Sequence, residues 1–162
     1  MKQDFSAKTA ALDGLLGVGR CFDMTARDLT IGGRRARLWV VNGYAQEGIL
    51  ERMIAQWLAV PPLPPDMTPE TFLRRHVTAC DAAVCGKREE AVLAVFAGKT
   101  LLVADGFSGG ILMDVKQFPT RSIEEPDTSR VLRGSHDGFV ENLMQNAALL
   151  RRRIRDPRLT LE

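Results

Sequence analysis

The feature that most constrains how this chain can fold is a change of hydrophobic period on either side of Gly43. Before it, Phe22, Met24, Leu29 and Ile31 lead into Gly32-Gly33, after which Ala36, Leu38 and Val40 alternate with Arg35, Arg37 and Trp39. Glycine takes the positive φ angles that a tight primed turn requires, so these two runs predict a β-hairpin. After Gly43, Ile49, Leu50, Met53, Ile54, Trp57 and Leu58 recur at helical spacing and predict an amphipathic helix. Each run leaves one apolar face uncovered, and laying the helix on the hairpin buries both.

The segment 61–65, rich in proline, is a stiff connector, and Thr68-Pro69-Glu70 supplies an N-cap with proline at the first helical position of a second helix to about residue 79. Strands are predicted at 78–84, 101–105 and 111–115, with a helix at 87–97. The fold class is therefore α/β: a small mixed sheet of four or five strands over 21–118, with flanking helices expected mainly on one face. Residues 5–16 predict a short helix that ends in Gly14, Gly17 and Gly19, and 1–20 are expected to be a mobile leader. Residues 119–137, with Pro119, Pro126 and Gly134 among many charges, predict an extended connector. Beyond it Phe139, Leu143, Ala147, Leu150 and Ile154 mark a long helix over 138–156, capped by Asp137 and ended by Pro157. Its apolar stripe and the long connector predict that it reaches away from the sheet, with its arginines turned toward a partner.

A chain of 162 residues buries roughly two thirds of its unfolded surface, and 45% apolar with 26% charged residues excludes disorder. A net charge of +2 requires no nucleic-acid partner. The arginines between 151 and 158 have no interleaved aromatics and are interrupted by Asp156, so they favour a dipole-complementing helix end over a phosphate-binding surface; docking to another domain or an anionic membrane face is the remaining alternative. No apolar stretch approaches the roughly 20 residues of a spanning helix. Cys21, Cys80 and Cys85 fit no zinc or redox spacing and predict reduced thiols. His76 and His136 have no second ligand at helical spacing, so no metal site is expected.

Gly98-Lys99-Thr100 imitates the end of a phosphate-binding loop, but Leu93 stands where that loop needs its first glycine, and a helix C-cap is the better reading. Gly14, Gly17 and Gly19 lack the preceding strand of a dinucleotide site. Glu124 and Glu125 are adjacent and diverge on an extended segment, so pairing with Arg121, Arg130 and Arg133 is preferred to acid-base chemistry. No catalytic residue and no cofactor is predicted.

The stretch Pro119-Thr-Arg-Ser-Ile-Glu-Glu-Pro-Asp127, then Val131-Leu-Arg-Gly134, Asp137-Gly-Phe-Val-Glu141, Asn146 and Leu150-Arg-Arg-Arg-Ile-Arg-Asp-Pro-Arg-Leu159, resembles the signature of the GerA/SpoVAF family, and the segment 22–43 resembles its N-terminal domain more weakly. The family comprises the A subunits of spore germinant receptors and the stage V sporulation protein AF, and the compact form here is more similar to the latter. The resemblance implies a fragment of a longer protein, continuing into a second subdomain and a transmembrane part. It implies a parent in the inner spore membrane with this domain on the cytoplasmic, spore-core side, acting in germination signalling and ion release, as a homo-oligomer and with other germination membrane proteins. It implies interdomain or subunit contacts, not catalysis, for Glu124, Glu125, Arg133, Phe139, Glu141, Leu143, Asn146, Arg151, Arg152 and Arg153. A small-molecule sensor domain of the same protein, or an unrelated small α/β enzyme, are the alternative readings; either needs a pocket with convergent polar groups.

Overall fold

The structure is a computed structural model that describes residues 4–116, 139, 141–154 and 156–162. The hairpin forms as expected: β1 (Met24–Ile31) and β2 (Arg34–Val41) pair antiparallel with Ile31 opposite Arg34. Gly32 and Gly33 turn between them at φ 52° and 79°, the two positive angles of a primed turn. With β3 (Ala82–Cys85), β4 (Thr100–Ala104) and β5 (Gly110–Met113) they form a five-stranded sheet of order β1-β2-β4-β5-β3, in which all four pairings are antiparallel.

Helices cover both faces of this sheet, not mainly one. Residues alternate strictly between them: Met24, Trp39, Val41, Leu101, Val103 and Leu112 join one core, while Leu29, Ile31, Ala36, Leu38, Leu102 and Ile111 join the other. The second core is closed by α2 (Glu47–Leu58), through Met53, Ile54 and Trp57, and by α3 (Pro69–His76), through Phe72. The first is closed by α1 (Phe5–Leu16), α4 (Arg88–Phe96) and one residue of α5 (Leu143–Ile154). The physical reason lies in β4 and β5, whose residues are buried without a break; an uninterrupted apolar strand needs cover on both sides.

Residues 5–16 therefore belong to the domain: Leu12 is 3% exposed and Leu16 fully buried against the sheet, where a mobile leader was expected. The stripe is narrow, which is why periodicity undervalued it. Local signals elsewhere hold closely. Thr68 caps α3 by accepting the Thr71 N–H at 3.2 Å. At the end of α4 the Gly98 N–H donates to Val95 O at 2.8 Å and the Lys99 N–H to Ala94 O at 2.9 Å, so Gly98-Lys99-Thr100 is a Schellman turn entering β4. Helix α5 starts at Leu143, later than expected, because Asn142 Oδ1 accepts the N–H groups of Met144 and Gln145 at 2.9 and 3.2 Å. Asp137 and the expected connector lie outside the described residues.

Thr100 is fully buried, and its hydroxyl finds no hydrogen-bond partner among the described residues. Replacing it with valine removes an unsatisfied polar atom at nearly constant shape, so Thr100→Val is expected to raise stability by about 1 kcal/mol in chemical denaturation.

Candidate functional site

The described polar groups converge most strongly where α5 meets the start of β1. Close approach there depends on small residues. Ala147 and Ala148 are each 3% exposed, and a Cβ at Gly43 would lie 3.1 Å from Met144 O and 3.6 Å from Ala148 Cβ. Gly43 also has φ 83°, so Gly43→Ala meets both a crowded wall and a strained backbone. The expected cost is about 1–3 kcal/mol, read as a lower denaturation midpoint. Beside it the Tyr44 hydroxyl donates to Ala148 O at 2.9 Å, tying the middle of α5 to the loop after β2.

One turn further, Arg151 points inward and is 2% exposed. Its Nη2 donates to Asp23 Oδ1 at 2.8 Å and its Nε to Asp23 Oδ2, a two-pronged pair with a carboxylate that is itself fully buried. Nη1 donates to Leu159 O at 3.1 Å, and the guanidinium lies over the Phe96 ring at 4.9 Å. Burial works against the charge, but the Asp23 hydrogen bonds and charge, with Cys21 beside them, outweigh it and hold the arginine above its ordinary pKa. The chain after α5 folds back: the Phe22 N–H donates to Leu161 O at 2.9 Å, one residue before Asp23. Within that return, hydrogen bonds from the Arg158 side chain and backbone hold the Asp156 carboxyl down at about 2.

The residues expected at an interface separate in the structure. Glu124, Glu125 and Arg133 lie outside the described residues. Phe139 and Leu143 are 69% and 65% exposed, Glu141, Arg152 and Arg153 are also exposed, and Asn146 is half-buried. Arg151 is buried and turns back into the domain, not toward a partner as the sequence led us to expect. Sequence reasoning missed Gly43, Tyr44, Phe96 and above all Asp23, although an aspartate between Phe22 and Met24 at a strand entrance was a usable signal. Among the described residues no group of three or more His, Cys, Asp or Glu side chains is placed to hold a metal, and no helix is long and apolar enough to cross a membrane.

The family described as Bacillus/Clostridium GerA spore germination protein matches residues 12–162. The chain is 32% identical over 153 residues to the stage V sporulation protein AF of Bacillus subtilis, covering 91% of this chain and 30% of that protein. It is 47% identical over 68 residues to spore germination protein B1 of Bacillus subtilis, covering 42% of this chain and 14% of that one. The chain thus spans less than a third of the length of either. In fold it resembles the N-terminal domain of the A subunit of the Bacillus megaterium spore germinant receptor GerK3, with a TM-score of 0.72 at 19% identity, covering all of this chain and 59% of that one. Both cores, the lock at Asp23 and Arg151, and the chain's return to Phe22 lie within the matched span, and the chain belongs to the GerA family of spore germination proteins.

Proposed function

We propose that this chain is the N-terminal regulatory and assembly domain of a spore germination membrane protein, non-catalytic, acting in germination signalling and ion release. Its parent sits in the inner spore membrane with this domain on the cytoplasmic, spore-core side, and assembles as a homo-oligomer with other germination membrane proteins. The observation that supports this most is the buried Asp23–Arg151 pair, which ties the arginine-bearing end of the family motif, in α5, into the domain's own fold. The exposed Phe139, Glu141, Leu143, Arg152 and Arg153, with Asn146 beside them and Glu124, Glu125 and Arg133 in the preceding segment, then contact the rest of the parent. An ion pair buried in this way contributes more to fixing one arrangement than to net stability, which suits a domain that transmits a state.

The test is made in the spore-forming host that carries the parent gene. Removal of residues 1–162 in frame is expected to slow germination and ion release while the remainder still reaches the membrane. Release at the normal rate would overturn the regulatory reading. The side of the membrane is read from Cys80, which is exposed: an impermeant maleimide is expected to label it in inside-out vesicles and not in intact protoplasts. The reverse pattern would refute the cytoplasmic placement.

A further inference from the structure

A cleft of about 720 Å³ opens on the sheet face covered by α1 and α4. Its floor is Leu12, Leu101 and Val103, and one wall is the main chain of the turn 106–110. Gly109 and Gly110 let that turn sit close against the neighbouring strands: a Cβ would lie 2.7 Å from Cys85 O at Gly109 and 2.7 Å from Leu101 Cδ1 at Gly110. The opposite rim is the first turn of α4, which no side chain caps.

The charges around the cleft are mostly spent on each other. Lys87 pairs with Glu90 at 2.8 Å, Asp105 with Arg35 at 2.9 Å, and Arg88 lies 3.8 Å from Glu89. Lys8, half-buried on α1 and lining the cleft, has no carboxylate partner among the described residues, and burial lowers its pKa. A desolvated ammonium facing a cleft of this size, above an apolar floor, is the arrangement that small-ligand sites use.

We propose that this cleft binds a small organic anion, a carboxylate or phosphate ester with an apolar body, whose charge is taken by the Lys8 ammonium. The apolar body lies on Leu12, Leu101 and Val103, and the uncapped turn of α4 adds its partial positive charge. The inference stands independently of the regulatory reading above.

The test is a titration of the ¹⁵N-labelled chain with three probes of one shape: benzoate, phenyl phosphate and neutral benzamide. At least one anion is expected to shift the amides of 86–91 and 106–110, and benzamide to bind about tenfold more weakly, the loss of one charge-assisted hydrogen bond. Lys8→Met is expected to weaken the anion about tenfold and leave benzamide unchanged, while Lys8→Arg retains binding. Arg75→Met, an exposed cation lost from α3 on the other sheet face, is expected to change nothing. Whether benzoate or phenyl phosphate binds more tightly assigns the anion class. The proposal fails if benzamide binds as well as both anions, if Lys8→Met binds like wild type, or if no anion shifts these amides at about 20 mM, the weak limit for a ligand of this size. The wild-type comparison decides the matter even where a Lys8 variant loses its fold.

Discussion

Asp23→Ala is expected to lower the stability of this chain by about 3–5 kcal/mol, because it leaves the Arg151 guanidinium buried without its counter-charge. At this chain length that corresponds to a fall of about 6–20 °C in Tm. The mechanism is separable from ordinary packing loss. The double variant Asp23→Leu with Arg151→Met replaces both charges by apolar groups, and is expected to recover most of the loss, since a buried pair exchanged for packed hydrocarbon is near neutral. Thermal denaturation of the two variants beside wild type provides the check. A double variant as unstable as Asp23→Ala would mean that the site depends on shape and the Leu159 contact, not on charge.

Trp57→Ala is expected to cost about 3–5 kcal/mol, the range for emptying a large aromatic site in a core. Trp57 is fully buried, packs at 6.5 Å from the Phe72 ring, and donates its indole N–H to His76 O at 2.7 Å. It therefore joins α2 to the end of α3 and holds both on the second face of the sheet. Trp57→Phe keeps part of the ring volume while losing the hydrogen bond to His76 O, so it is expected to cost less, about 1–3 kcal/mol. Urea denaturation orders the three proteins. Equal losses in both variants would show that the His76 bond, not the ring, holds the layer.

Much of this fold is legible from local chemistry. The paired glycines at 32 and 33 place the hairpin, Thr68-Pro69 places α3, and Gly98 stops α4, since each acts through bonds within a few residues. What periodicity hides is the second face. In β2, Trp39 and Val41 point opposite to Ala36 and Leu38, and both sets are buried, so alternation with arginines at 35 and 37 suggested a solvent side that the second half of the strand does not have. Helix α1 was undervalued for the same reason: its buried residues have meaning only against a sheet face known to need cover.

The candidate site was half legible. The family motif drew attention to Arg151, but a run of arginines reads as a solvated helix end until the partner of one of them is known. Asp23 stands 128 residues earlier in the chain, and no local rule connects the two. Burial of an arginine is decided by tertiary contact alone, here by Asp23, Phe96 and the Leu159 carbonyl.

Native-state hydrogen exchange of α5 tests the central claim, that this helix is locked into the domain by Arg151. The account predicts that the amides of the buried turn around Ala147 to Arg151 exchange nearly as slowly as those of β4 in wild type, and that Asp23→Asn speeds them selectively while β4 stays protected. Exchange of the α5 amides at the rate of unstructured peptide in the wild-type chain would contradict it.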